Sequence, residues 1–223
     1  GWNEVLNSEK TDTDVVGQYW ISRNGKNVIR HLKKGGKVIL SNHKYFYFDM
    51  AYYYCTPKGT YNYKPEAVKI KGDLKKNVLG VEAQMWTEWI TNEDHIFFML
   101  FNRGLATSEN AWTYSKDYKS FKQRLQLHKV FMDEMGIYYG NDHITMQKNK
   151  LYKKRQAKKH GFTIKHNDAE FRLDGIHNRK LRKQAKERAK EKELREKEEQ
   201  NAKGIDELID SALIKVASMV IDE

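Results

Sequence analysis

The sequence predicts a parallel α/β fold followed by a charged helical tail. Short runs of β-branched and other apolar residues alternate along the first part of the chain with segments of helical periodicity, which is typical of parallel strands joined by helices. All five tryptophans lie within the first 112 residues, whereas residues 147–223 hold only three aromatic residues. We therefore predict a folded body over residues 1–145 and a basic helical tail over residues 146–223.

The predicted elements of the body follow from local signals. Lys37–Ser41 is rich in β-branched residues and follows the glycine pair Gly35-Gly36, so it predicts a buried strand entered from a turn. The same glycine pair ends a helix whose apolar residues lie on one side. The predicted elements, in chain order, are an apolar run at Val15–Trp20, a helix at Asn27–Lys34, the strand at Lys37–Ser41, a strand over Asn77–Trp86, and helices at Phe97–Trp112 and Phe121–Met135.

The tail contains stretches of different charge pattern. Lys180–Lys203 combines Lys, Arg, Glu, Gln and Ala with almost no apolar residues, and its mixed-sign spacing favours a solvated helix. Gly204 interrupts this run, and Ile205–Val220 then repeats apolar residues at the spacing of an amphipathic helix. The polar face of that helix is acidic, so we expect it to pack against protein rather than lie on a membrane.

Most of the net charge of +11 belongs to the tail. Residues 147–223 hold 21 Lys and Arg against 14 Asp and Glu, while the preceding residues hold 20 against 16. The basic stretch Lys148–Lys159 offers contacts to phosphates or to an anionic surface. Because the longer run beyond it is mixed in sign and typical of a solvated helix, nucleic-acid binding is the less favoured interpretation.

Composition argues against several kinds of site. The single cysteine, Cys55, rules out an intramolecular disulfide and a cysteine-based metal cluster. The eight histidines show no metal-ligand spacing, so we predict neither a metal nor an organic cofactor. No run of about 18 apolar residues is present, so no membrane span is predicted. The chain opens at Gly1-Trp2-Asn3-Glu4 without a methionine, which we interpret as an internal boundary.

Two short phrases place an aromatic residue two positions before a carboxylate. Tyr47 precedes Asp49 in the first phrase, and Trp86 precedes Glu88 in the second. Residues i and i+2 of a strand face the same side, so each phrase presents both groups together at the end of a predicted strand. An aromatic plane beside a carboxylate suits a sugar, whose C–H face stacks on the ring while its hydroxyls donate to the carboxylate. The alternative is that the rings pack in a core and the acids face solvent.

Five segments between Gly1 and Tyr139 match one set of phrases in order. They are Gly1–Val5, resembling G-W-D-E-[IVL] with Asn3 in place of Asp; Gln18–Trp20, resembling a strand that ends in Trp; Val38–Ser41 with Tyr47–Asp49, resembling V-I-x-S and then Y-x-D; Leu79–Glu88, resembling L-G-x-x-A-x-x-W-[ST]-E; and Arg103–Trp112, resembling R-x-x-A-x-A-E-x-x-W with Ser108 in place of Ala. In this order the chain resembles glycoside hydrolase family 20, the β-N-acetylhexosaminidases.

The resemblance implies a fold and a partner. The fold is the C-terminal part of a TIM (β/α)8 barrel, from the end of strand five through strand eight. Three strands cannot close a barrel, so the N-terminal part of the same enzyme is the expected partner. Arg103 and Glu109, in the helix after the last strand, are interpreted as a structural ion pair.

The resemblance also implies a substrate, a carbohydrate with a terminal N-acetylhexosamine. In this interpretation the tryptophans wall the sugar pocket, the tyrosine donates a hydrogen bond to the acetamido carbonyl oxygen, and the two carboxylates bind ring hydroxyls. The implied substrate-binding residues are Trp2, Trp20, Tyr47, Asp49, Trp86 and Glu88.

The chemistry that the resemblance implies is retaining and substrate-assisted, because the acetamido oxygen of the substrate attacks the anomeric carbon. In that family an Asp-Glu pair on strand four, in a phrase like H-x-G-G-D-E, orients the acetamido group and supplies the general acid. No such phrase occurs here, and Asp133-Glu134 lies in a predicted helix among apolar residues. We therefore expect the isolated chain to be inactive. The competing hypothesis is a non-enzymatic carbohydrate-binding or interaction module that works through the tail.

Overall fold

A parallel sheet of three strands organises the chain. The computed structural model describes residues 1–146, 155, 158–159, 170–175, 187, 190–198 and 200–201. The strands are β1 (Gly17–Tyr19), β2 (Val38–Leu40) and β3 (Val78–Val81), and they lie in the order β1-β2-β3 with both neighbouring pairs parallel. The predicted parallel α/β arrangement is therefore confirmed for this part of the chain.

Six α-helices and four 3-10 segments accompany the sheet within residues 1–146. The helices are α1 (Gly25–Lys33), α2 (His43–Phe46), α3 (Pro57–Tyr61), α4 (Glu93–Trp112), α5 (Tyr118–Glu134) and α6 (Asp142–Thr145). The 3-10 segments are Asn3–Asn7, Ser22–Asn24, Pro65–Val68 and Gly72–Asn77.

The two long helices begin about one turn earlier than predicted, because polar side chains cap them. The side chain of Asn92 accepts a hydrogen bond from the backbone N–H of His95 at 3.0 Å, and α4 starts at the next residue after Asn92. Asp117 caps α5 in the same way, accepting from the N–H of Ser120 at 3.0 Å. The apolar periodicity that predicted these helices starts only after the polar first turn.

The last strand is shorter than the predicted range. Regular pairing covers only β3, and its register against β2 shifts next to Val38. Farther along, a single parallel bridge pairs Gln84 with Tyr47, and a second bridge pairs Trp2 with Gln18 at the other side of the sheet. The connection from β2 to β3 runs through α2, α3 and two 3-10 segments, where a single long crossover helix would be the simpler arrangement.

Only one face of the sheet is fully covered by the described residues. Tyr19, Val38 and Leu40 are buried on that face in one cluster with Val28 and Leu32 of α1. On the strands' other side, Gln18 and Ile39 are half-buried, and Leu79 of β3 is 55% exposed. Parallel sheets in proteins are normally covered on both faces. In the described part of the chain, one face of this sheet is therefore left partly uncovered.

The predicted ion pair between Arg103 and Glu109 is wrong. Arg103 is fully buried and donates to backbone carbonyls of the loop after β2, while Glu109 pairs with Arg124 at 2.5 Å. Six residues correspond to about 1.7 helical turns, so side chains at that spacing point to different sides of a helix. Arg103 thus faces the loop, and Glu109 faces α5.

The described part of the tail is partly helical. Residues 190–198 are helical and exposed, with i,i+4 pairs between Glu191 and Arg195 and between Glu193 and Lys197. The amphipathic helix predicted at Ile205–Val220 lies outside the described residues. The division at 145/146 stays a prediction, although residues 170–175 are helical and pack against the body. No described helix is long and apolar enough to cross a membrane.

Replacing Arg103 with methionine tests its role in the core. We expect Arg103→Met to lower the free energy of unfolding by about 3 kcal/mol or more, because several buried carbonyls lose a charged donor. Arg124→Met is the control: its pair with Glu109 is partly exposed, so its loss should cost less than about 1 kcal/mol. Urea unfolding at pH 7 measures both, and equal costs would contradict the assignment.

Candidate functional site

The six predicted site residues all lie at one end of the sheet. They follow the carboxyl ends of the strands or flank them, the end at which parallel α/β barrels carry their active sites. Trp20 directly follows β1, and Trp2 lies beside that strand through its bridge to Gln18. The other four lie in the segments that follow β2 and β3; they are Tyr47, Asp49, Trp86 and Glu88.

Four aromatic rings form a continuous wall at this end. The ring centroids of Trp2 and Trp86 are 6.0 Å apart, and those of Trp86 and Tyr47 are 6.4 Å apart. Tyr47 in turn stacks on Trp20, with a centroid distance of 6.1 Å and an interplanar angle of 23°. Trp2 and Trp86 are 38% and 44% exposed, so both present ring surface that a ligand can cover.

The backbone between Tyr47 and Asp49 is not the strand that the i,i+2 spacing predicted. Both follow the short helix α2 rather than a continuous strand, and only Tyr47 makes a bridge, to Gln84. Trp86 and Glu88 likewise lie beyond the last bridge of their segment. The residues meet because their segments leave neighbouring parallel strands at the same end.

The Tyr47 hydroxyl is kept neutral. Its ring is buried, and desolvation raises the pKa of the hydroxyl above its ordinary value of 10, while a hydrogen bond with the Trp86 side chain acts in the opposite direction. The negative charges of Asp49, Glu4 and Glu82 raise the pKa of Tyr47 further. A neutral phenol is both a donor and an acceptor, so Tyr47 can donate to a carbonyl oxygen.

Asp49 is half-buried, and Glu88 beside it is exposed. Desolvation raises the pKa of the Asp49 carboxyl above its ordinary value of 3.8, and the negative charge of Glu88 adds to this effect. Backbone hydrogen bonds from Asp49 itself and from Trp86, and the charge of Arg103, lower the pKa of Asp49. The charge of the exposed Glu88 side chain therefore acts on the half-buried carboxyl of Asp49.

The first 3-10 segment orients Trp20, which sequence reasoning missed. The indole N–H of Trp20 donates to both carboxylate oxygens of Glu4, at 3.0 and 3.1 Å. The side-chain oxygen of the buried Asn3 accepts from the backbone N–H groups of Trp20 at 3.0 Å and Ile21 at 3.3 Å. Asn3 and Glu4 belong to the phrase Gly1–Val5. Their place in that phrase, next to Trp2, was the sequence signal that could have identified them.

A polar network lies on the less covered face of the sheet. The side-chain amide of Gln18 donates to Ser41 at 3.0 Å and to Glu82 at 2.5 Å. Gln84 donates to the same Glu82 carboxylate oxygen at 2.7 Å. The i,i+2 spacing of Glu82 and Gln84 was a signal for this network, but its cross-strand partners depend on the pairing of the strands.

His43 joins the aromatic wall from α2. Its ring lies 6.1 Å from the Trp20 ring and 6.2 Å from the Tyr47 ring, and it stacks on Tyr54 at 5.8 Å. Its Nδ1 atom is 3.1 Å from the backbone oxygen of Trp20. His43 therefore packs against the wall, and nothing in the sequence pattern distinguished it from the other seven histidines.

The charge of the site is opposite to that of the whole chain. Although the chain carries +11, the charges that raise the pKa of Tyr47 are those of the carboxylates Asp49, Glu4 and Glu82. Aromatic faces with carboxylate acceptors suit a neutral ligand rich in hydroxyl donors and repel a polyanion. The charge that acts on Tyr47 is therefore negative, opposite in sign to the net charge of the chain.

Residues 1–115 match the model of glycosyl hydrolase family 20, catalytic domain. The chain belongs to this family. It is 31% identical over 151 residues to a β-N-acetylhexosaminidase of Cellulomonas fimi, an alignment that covers 61% of this chain and 30% of that relative. The family 20 chain therefore spans less than a third of this relative's length.

Solved structures of family 20 enzymes resemble the chain as well. An exo-β-N-acetylglucosaminidase from Vibrio harveyi in complex with N-acetylglucosamine is 26% identical with a TM-score of 0.55, over 63% of this chain and 24% of that one. A β-N-acetylhexosaminidase from Streptomyces coelicolor A3(2) is 27% identical with a TM-score of 0.56, over 61% of this chain and 31% of that one. The similarity thus extends from sequence to the arrangement of strands and helices.

The raised pKa of Asp49 predicts a pH-dependent stability difference. Because the pKa is higher in the folded state, the contribution of Asp49 to stability is present below its ordinary pKa of 3.8 and is lost as the pH rises through the folded value. We expect Asp49→Asn, which does not titrate, to be more stable than the parent chain at pH 7, with the difference shrinking toward pH 3.8. Urea unfolding across this range measures the effect.

Asp73→Asn is the matched control for the Asp49 experiment, since the Asp73 side chain is 90% exposed and also loses one negative charge. A gain at pH 7 that is as large for Asp73→Asn as for Asp49→Asn would show that net charge, rather than burial of Asp49, causes the effect.

Proposed function

We propose that this chain supplies the sugar-pocket walls of an exo-β-N-acetylhexosaminidase that removes terminal N-acetylglucosamine or N-acetylgalactosamine. One observation carries the proposal: an aromatic wall, a neutral tyrosine and two neighbouring carboxylates meet where the segments after three parallel strands converge. Family membership and the relatives' names, β-N-acetylhexosaminidase among them, support the same class of reaction.

The aromatic wall binds the sugar ring. Trp2 and Trp86 expose ring surface, on which the C–H face of a pyranose stacks, and Trp20 is held in place by Glu4. Stacking on such rings contributes free energy mainly through burial of apolar surface. The Trp2 and Trp86 rings are tilted by 46° to each other, so they present two differently oriented faces to a ligand.

Tyr47, Asp49 and Glu88 recognise the polar groups of the sugar. The neutral hydroxyl of Tyr47 donates to the acetamido carbonyl oxygen and so holds that oxygen toward the anomeric carbon. The carboxylates of Asp49 and Glu88 accept hydrogen bonds from ring hydroxyls. The acidic surroundings of Tyr47 also favour the positive charge that develops on an oxazolinium ion, which the retaining, substrate-assisted route forms.

The general acid comes from outside this chain in the proposed enzyme. No phrase like H-x-G-G-D-E occurs in the sequence. Asp133 of the pair Asp133-Glu134 lies on α5, where its carboxylate accepts from the Tyr139 hydroxyl at 3.1 Å. The N-terminal part of the same enzyme would supply the acid pair and would cover the sheet face on which Leu79 is exposed.

Sugar binding by the chain itself tests the pocket. We expect N-acetylglucosamine to change the intrinsic tryptophan fluorescence with a dissociation constant of about 1 mM, which corresponds to about 4 kcal/mol. Glucose lacks the acetamido group and should bind about tenfold more weakly, since the Tyr47 hydrogen bond is lost. Tyr47→Phe should abolish this discrimination, whereas Tyr114→Phe, on a fully exposed ring, should keep it. Equal affinity of the parent chain for both sugars would argue against the proposal.

Hydrolysis tests where the general acid lies. We expect the purified chain to release no p-nitrophenol from p-nitrophenyl N-acetyl-β-glucosaminide, because it lacks the Asp-Glu phrase. A β-N-acetylhexosaminidase assayed in parallel shows that the substrate and conditions are sound. Clear turnover by the pure chain would place a proton donor within it and would refute this part of the proposal.

A further inference from the structure

Residues 170–175 lie beyond the part of the chain that the family model matches, yet they pack into the body. Phe171 stacks on His95 with a centroid distance of 4.4 Å and an interplanar angle of 5°, and it contacts Phe98 at 5.5 Å. Leu173 is fully buried in the same cluster. This short helical segment is therefore anchored on α4 by apolar contacts.

The same segment places a buried carboxylate on the loop of the sugar site. Glu170 is fully buried, and its two carboxylate oxygens accept hydrogen bonds from the backbone N–H groups of Tyr52 and Tyr53, the second at 3.2 Å. A charged acceptor makes such bonds stronger than neutral ones. These two N–H groups follow Asp49 by only three and four residues in the chain.

Arg103 binds backbone carbonyl groups of the same loop. Its guanidinium donates to the carbonyl oxygens of Phe48 at 2.5 Å and Met50 at 2.7 Å, and it lies 4.0 Å from the centre of the Tyr52 ring. The carbonyls on both sides of Asp49 thus face a cation, and the N–H groups that follow face an anion. The loop from Phe48 to Tyr53 is fixed between the two charges.

Burying a carboxylate in a protein core costs free energy. Removing such a charge from water costs several kcal/mol, and an apolar side chain of similar size would often give equal or greater stability. What Glu170 provides, and an apolar residue would not, is a fixed direction for two backbone N–H groups. Direction matters where a neighbouring side chain must meet a ligand, since an error of about 1 Å can cost about a hundredfold in rate.

We propose that Glu170 is a positioning residue of the sugar site, which sets the place of Asp49 by holding the backbone of Tyr52 and Tyr53. The inference rests on the proposed function, because it requires that Asp49 binds the sugar. Glu170 lies outside residues 1–115, which match the family model, so a residue of the predicted tail supports the site. Glu170 does not touch the sugar and acts only through the loop.

The experiment uses the full chain with Glu170→Gln and Glu170→Ala, and with Asp174→Asn as the matched control. Asp174 is equally buried in the same segment, but it accepts from the Tyr138 hydroxyl and from the backbone N–H of Asn141 at 2.8 Å, away from the loop. Amide hydrogen exchange of residues 48–55 reports the loop, and tryptophan fluorescence reports the affinity for N-acetylglucosamine. Thermal unfolding monitors whether each variant is folded.

We expect both Glu170 variants to speed exchange at Tyr52 and Tyr53 at least tenfold and to weaken N-acetylglucosamine binding about five- to tenfold. Glutamine keeps one acceptor oxygen, so Glu170→Gln should retain more protection than Glu170→Ala and recover part of the affinity. Asp174→Asn should leave both the loop exchange and the affinity near those of the parent chain, even if it lowers the unfolding temperature.

Three results would overturn the inference. Unchanged exchange at Tyr52 and Tyr53 in Glu170→Ala would show that Glu170 does not hold the loop. Faster exchange with unchanged affinity would show that the loop does not position the sugar ligand. Equal effects of Asp174→Asn would assign the loss to undocking of the whole segment. If the parent chain binds no sugar, the proposed function fails, and the exchange data still decide whether Glu170 holds the loop.

Discussion

Buried on α4, the guanidinium of Arg103 donates to backbone carbonyls on either side of Asp49 and lies against the ring of Tyr52. Through these bonds one cation joins a long helix to the loop that carries Asp49 and begins next to Tyr47. The cost of burying the charge is offset because several carbonyl oxygens, which would otherwise lack donors in the core, are satisfied by it. The aromatic wall then builds on this loop, since Tyr47 packs between Trp20 and Trp86.

The charge around the site is opposite in sign to the net charge of the chain. Basic residues outnumber acidic ones, particularly after residue 146, yet the charges of Glu4, Asp49 and Glu82 act on the neutral phenol of Tyr47. Parallel topology explains how this is possible. Each strand delivers its following segment to the same end of the sheet, so carboxylates from distant parts of the sequence come together there.

Sequence reasoning located the strands and named six candidate residues that lie at one end of the sheet, but it did not predict their contacts. The β-branched run at β2 and the glycines before it gave a strand correctly, because local propensity and burial agree there. Tyr47 and Asp49 were paired by an i,i+2 rule for strands, whereas the backbone between them is not a strand. Arg103 was assigned the wrong partner because its actual partners are backbone carbonyls, about fifty residues earlier, which no residue pattern reveals. The contact of Glu170 with Tyr52 spans 118 residues and was equally invisible.

The half-covered sheet has a consequence for how the chain behaves at different concentrations. Leu79 and the outer edge of β3 offer apolar surface and unpaired backbone groups, among the described residues, to any strand that can add to them. Folding of the chain is then thermodynamically linked to association, because whatever covers this face binds the folded form more tightly than the unfolded one. Any partner that covers this face would therefore raise the midpoint of unfolding, and the rise would grow with the concentration of that partner.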